Sequence, residues 1–136
     1  MNRIHEALAF QNVFAPQSVD ASTDKTSNYV DLSGVDESVF LISTAALGAG
    51  KSLTVKLMAA SDSSGSDAEE IGSATFTDAA GTDPQLAVVS YRASAIHGQY
   101  AAVKFQHDGA AAVVCGVTAA AAALFRPASN GWTLVV

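Results

Sequence analysis

Five consecutive residues, Leu53-Thr54-Val55-Lys56-Leu57, constrain this chain more than any other stretch. Apolar side chains fall at every second position, so Leu53, Val55 and Leu57 share one face and Thr54 and Lys56 the other. Period two marks a half-buried strand. Such a strand needs neighbours to pair its backbone and a second layer to cover its apolar face. Further short segments supply them: Tyr29–Leu32, Ser38–Ser43, Ile71–Thr77, Leu86–Tyr91, Tyr100–Gln106 and, last, Trp132–Val136. Clusters of Gly, Pro, Asp and Ser separate them, at Ala45–Gly50, Ser61–Asp67 and Asp78–Pro84. Asp108-Gly109, between two apolar runs, predicts a tight hairpin. No segment carries a sustained helical period. The pattern predicts an all-β chain, a single antiparallel β-sandwich of jelly-roll or Ig-like kind over residues 29–136.

Two segments need separate treatment. Ala110–Phe125 is rich in alanine, the best helix former. Val113, Val114, Val117 and Thr118 are β-branched, and Gly116 would cost a helix about 1 kcal/mol against Ala. The segment also follows Asp108-Gly109. A long strand is predicted, with alanines that allow close approach of another layer. Residues 1–28 read as an extended arm. Ile4, Leu8, Phe10, Val13 and Phe14 are scattered without helical spacing, and Gln17–Asn28 is a Ser-, Thr- and Asp-rich stretch that favours local turns. These five apolar residues are the candidate partner-binding set, because an arm that carries them needs a surface to cover them; the alternative is an arm packed on its own domain.

Charge and cysteine content narrow the function. Seven Lys+Arg against thirteen Asp+Glu give 7 − 13 = −6 over 136 residues. A negative chain is poorly suited to nucleic acid, where phosphate neutralisation carries the affinity. Charged residues make up only 15%, well below the content of disordered chains. Cys115, the single cysteine, excludes an intrachain disulfide and a thiolate metal cluster. The N-terminus has no secretory pattern, and the alanine run is too short and too weakly apolar for a membrane span. Synthesis in a cytoplasm, with no membrane partner, is the expectation.

The motif search yields no catalytic set. Gly48-Ala49-Gly50-Lys51-Ser52 ends like a phosphate-binding loop, but Ala45 stands where the first glycine is required, and a strand follows instead of a helix. It reads as a Gly-rich hairpin turn. Asp62, Asp67, Glu69 and Glu70 are the densest acidic cluster, yet Ser64 and Asp67 break the calcium-loop pattern. The cluster reads as a solvated turn. His5, His97 and His107 have no metal-ligand spacing, and no nucleophile elbow is present. Cys115 among valines reads as an inert buried thiol. Tyr91, Tyr100 and Phe105 could stack a sugar or base, but core packing is the simpler use. No catalytic residue, cofactor or metal is expected.

The stretches Tyr29-Val30-Asp31-Leu32, Leu53–Asp62 and Tyr100–Phe105 leading into Ala110–Leu124 resemble the small, acidic, Ala-rich β-sandwich proteins that decorate tailed-bacteriophage capsids, the cement or auxiliary head proteins. The resemblance spans Tyr29 to Phe125 as pattern and length. It implies a non-enzymatic structural protein on the virion, bound to the outside of the shell. Its partners would be the major capsid protein or another shell subunit and further copies of itself, as a homo-oligomer and often a trimer. The alternative is a tail or fibre component, or a carbohydrate- or receptor-binding sandwich, which would need exposed aromatics clustered with polar groups at one end.

Overall fold

The structure, a computed structural model, describes residues 3–33, 35–92, 97–123, 130, 133 and 135. Among the described residues a four-residue helix, α1 (Ile4–Ala7), precedes nine strands: β1 (Leu8–Val19), β2 (Lys25–Thr26), β3 (Val30–Asp31), β4 (Val35–Thr44), β5 (Lys51–Ala60), β6 (Glu69–Asp78), β7 (Gln85–Arg92), β8 (Tyr100–His107) and β9 (Val113–Ala123). Two antiparallel sheets result. Sheet I has the order β1-β9-β4-β7; sheet II has the order β2-β8-β5-β6, with β3 also on β8. The predicted β-sandwich is the observed fold, and each alternating segment named above within the described residues lies in or overlaps a strand.

Alternation places the core. Leu53, Val55 and Leu57 of β5 are buried and face Phe40 and Ile42 of β4 within one apolar cluster, which β8 completes with Val103 and Phe105. Burying a side chain of this size contributes about 1.5–3 kcal/mol. β9 settles the alanine question. Ala119–Ala122 pair with β1 on one side, and Ala119–Ala121 pair with β4 on the other. Two full ladders of backbone bonds outweigh a helix propensity worth tenths of a kcal/mol per residue.

Residues 8–19 correct the arm reading. They form an edge strand of sheet I, and Val13 and Val19 are buried in the same cluster as the rest. The Phe14 ring meets Phe105 edge-on, with centroids 5.2 Å apart. No boundary falls at residue 28: Asn28 N–H donates to the Val13 carbonyl, and Ser27 N–H to that of Val103. The irregular spacing has a physical cause. Register shifts between Asn12 and Phe14 and between Phe14 and Gln17 interrupt the alternation, so a strand with bulges reads as neither strand nor helix.

Two expected hairpins are crossings between sheets. β8 lies in sheet II and β9 in sheet I, so Asp108-Gly109 joins the layers. Asp108 continues the pairing with β5, its Oδ1 accepting from Ser52 N–H at 2.6 Å. The buried His107 turns the chain: its Nε2 donates to the Val19 carbonyl at 2.6 Å and its Nδ1 accepts from Gly109 N–H at 3.1 Å. The Gly48–Ser52 turn likewise crosses from β4 to β5. The strand expected at Trp132–Val136 lies largely outside the described residues; Thr133 and Val135 are described and have no regular structure.

Candidate functional site

The two outer faces of the sandwich differ in chemistry. In sheet II, the residues opposite the core include Ser52, Thr54 and Lys56 of β5, Lys104 and Gln106 of β8, and Ser73, Thr75 and Thr77 of β6, with Met58 and the buried Ala102 at one end, as the cross-strand register shows. The Ser52 and Thr77 hydroxyls bond at 3.0 Å, and those of Thr54 and Thr75 at 3.3 Å. Lys104 pairs with Asp24 at 3.7 Å. This face is solvated, as the sequence alternation in β5 requires.

Sheet I is apolar on both faces. Residues directly opposite one another share a side, so three rows can be read across its outer surface: Phe10–Ala120–Val39–Ser90, Asn12–Thr118–Leu41–Val88 and Gly116–Ser43–Leu86. Leu86 is 60% exposed, Val88 54%, Val114 51% and Phe10 45%. The ion pair of Arg92 with Glu37, at 3.9 Å, lies at one end of this surface. This sheet face carries little charge and several exposed apolar side chains, the kind of surface that a partner can cover.

Of the expected arm residues, two are exposed and two are packed into the chain's own fold. Ile4, 75% exposed, and Phe10 are available. Val13 and Phe14 belong to the chain's own core. Leu8, half-buried, sits opposite Ala122 at the margin of the apolar face. Leu86 and Val88, and the half-buried Val39 and Leu41 beside them, lie in Leu86–Tyr91 and Ser38–Ser43, segments that the sequence predicts as strands without fixing which face of each is covered. The signal was there: a continuous apolar run has apolar residues on both faces, and only one of them can point into a two-layer core.

The remaining candidates resolve locally. Asp62 accepts from the Ser64 and Ser66 hydroxyls and amides, and Asp67 from the Ser61 hydroxyl and amide. The Ser66 and Ser64 hydroxyls hold the Asp62 carboxyl at about 2, and the Ser61 hydroxyl lowers that of Asp67. These carboxylates are occupied in building a turn. Glu69 faces His97 at 3.4 Å. Lys51 begins β5 directly after the Gly48 and Gly50 turn, so no helix N-terminus is there to meet a phosphate. Burial pushes the Cys115 thiol up to about 11, which makes it a poor nucleophile. Tyr91 and Phe105 point inward from different sheets and Tyr100 outward, so the three form no common stacking face.

No protein-family profile and no curated protein sequence matches the chain. Solved structures do. The PBSX exported protein XepA superposes with a TM-score of 0.58 at 10% identity, over 93% of this chain and 41% of that one. A subunit of the disulfide-linked pili of Bacillus endospore appendages gives 0.50 at 13%, over 91% and 97%. The cowpea mosaic virus top component gives 0.49 at 8%, over 100% and 92%. The chain spans under half of XepA. At these identities the likeness is one of fold alone, that of a β-sandwich.

Proposed function

We propose that the chain is a non-enzymatic structural subunit that binds the outside of a phage capsid, bridges its subunits and works as a homo-oligomer. The apolar outer face of sheet I carries this reading. A four-stranded sheet presents Phe10, Leu86, Val88 and Val114 to solvent, with Leu41 half-buried beside them, while the other sheet presents hydroxyls and lysines. One face therefore docks and the other faces water. The fold shared with an exported PBSX protein and a pilus subunit supports a role in an assembly. The disulfide linkage named for that pilus is not open to Cys115, which is fully buried, so assembly here is noncovalent. The role requires no cofactor, metal, nucleic acid or membrane.

The test is co-sedimentation with purified shells that lack the protein. The Leu86→Glu/Val88→Glu double variant places two charges on an already exposed surface, so its melting temperature should stay within about 2 °C of the parent. Its retention on shells should fall by tenfold or more, on the order of 1.4 kcal/mol. Equal retention of parent and variant would refute the assignment of this face.

A further inference from the structure

Along one side of the sandwich, Val13, Phe14 and Val19 of β1 fill the space between the sheets. Along the other run β6 and β7, the outermost strands of sheets II and I among the described residues. Gly72, Ala74 and Phe76 of β6 are paired with Leu57, Val55 and Leu53, so they point to the core side, yet all three are exposed. A Cβ built on Gly72 would meet nothing within 4 Å. The seam between these strands is underfilled. Two cavities, of about 390 and 400 Å³, lie along it, and Phe76 lines both. Each is large enough to hold a small molecule. Their chemistry differs. The first has walls of Val55, Leu57, Ile71 and Val89. The second joins Ile42, Leu47 and Leu53 to a polar end made by Thr44, Asp78 and Gln85. At that end a hydroxyl is orphaned: Thr44 is 2% exposed, and its Oγ1 has no partner among the described residues. A buried hydroxyl left unpaired is costly, and folded proteins keep few of them. Asp78 beside it takes three donors, the Leu47 and Gly81 amides and the Gln85 side chain. A carboxylate offers about four acceptor positions, so one is left.

We infer that this seam binds an uncharged aliphatic alcohol, its hydroxyl between Thr44 and Asp78 and its chain running past Phe76 into the first cavity. The polar end selects the head group. A hydroxyl both gives and takes a hydrogen bond, so its oxygen accepts from the Thr44 hydroxyl and its proton goes to the position left on Asp78. A carboxylate has no proton to give, and its charge would face that of Asp78. An ammonium cannot accept from the Thr44 hydroxyl. Lys51 also stands opposite Asp78 in the cross-strand register, on the same side of the sheet, and opposes a second cation. The apolar walls select the chain. Aliphatic carbons laid against Val55, Leu57 and Val89 cover apolar surface that β6 leaves open, because Gly72 and Ala74 carry too little side chain to do so. Tyr91 Oη, likewise buried without a partner, lines the first cavity and leaves one polar contact near the chain. The site is separate in chemistry from the outer face of sheet I, where no buried polar group selects a head group.

The full-length protein is titrated with n-octanol, n-octanoate and n-octylamine by isothermal calorimetry. The expected result is saturable binding of n-octanol at one site per chain, with n-octanoate and n-octylamine each weaker by about tenfold or more. Thr44→Val keeps nearly the same shape and removes the orphaned hydroxyl. Its melting temperature should equal or exceed the parent's, while its affinity for n-octanol falls by about tenfold. Ala74→Trp fills the first cavity from an exposed position and should abolish n-octanol binding with the fold retained. Thr54→Val, on the polar face of sheet II, is the control and should bind as the parent does. Three results would overturn the inference: no saturable binding of n-octanol, binding of n-octanoate or n-octylamine as tight as that of n-octanol, or undiminished binding by either the Thr44→Val or the Ala74→Trp protein. All readouts are taken without shells, so failure here is distinct from failure of the sheet I face to hold a shell.

Discussion

Removal of the Asp78 carboxylate should be the most damaging single change at the end of the sandwich that frames the seam. Asp78 closes β6 and is 3% exposed. Its Oδ2 accepts from Leu47 N–H at 3.0 Å; its Oδ1 accepts from Gly81 N–H at 2.9 Å and from the Gln85 side-chain amide at 3.2 Å. One side chain thereby ties the β4–β5 crossing, the β6–β7 crossing and the start of β7. Gly81 cannot be moved to compensate: its φ is +73°, and a Cβ there would overlap the backbone of Ala49. In Asp78→Ala the buried Leu47 amide loses its acceptor, at a cost of about 1–3 kcal/mol, while the part-buried Gly81 amide recovers water in part. With the loss of charge assistance the total comes to about 3–5 kcal/mol, against a stability of about 5–15 kcal/mol for a domain of this kind. For a chain of this length that is a fall in melting temperature of roughly 10–20 °C. Asp78→Asn keeps one acceptor oxygen but sets an amide against a donor, so it should fall between parent and Asp78→Ala. Calorimetry gives the global effect, and amide exchange at Leu47 and Gly81 gives the local one. A melting temperature of Asp78→Ala within about 2 °C of the parent, with both amides still protected, would refute the reasoning.

Two further outcomes test the core and the serine turn. Val55→Asp puts a carboxylate at a position only 2% exposed with no cation facing it within the apolar cluster, so the chain should fail to fold; a cooperative melt near the parent's would show that the core is placed wrongly. The Asp62 carboxyl is held at about 2, below its ordinary value of 3.8, by hydroxyl and amide donors from Ser66 and Ser64. A lowered value in the folded chain means that its contribution is present above the ordinary value and is lost as pH falls through about 2. The Ser64 and Ser66 amide resonances should therefore hold their positions down to about pH 3, and a carboxyl that titrates at its ordinary value would contradict the turn geometry.

The chain's own residues determined the layer type and the main strands. Leu53-Thr54-Val55-Lys56-Leu57 can satisfy a period of two and nothing else, and its polar positions are the ones found on the solvated face of sheet II. The β-branched residues around Gly116 predicted β9 against the pull of its alanines. Three things depended on tertiary structure. The bulges at Asn12–Gln17 hid β1, because one extra residue moves every later side chain to the opposite face. Asp108-Gly109 and Gly48–Ser52 turn the chain in either case, but whether a turn returns within a sheet or crosses to the other depends on which distant strand has taken the neighbouring edge. Finally, Leu41 and Ile42 are adjacent in β4 and similar in hydropathy, yet Ile42 is buried in the core and Leu41 belongs to the outer surface. Composition cannot assign those roles. The opposing sheet does, because it covers one face of β4 and leaves the other for a partner.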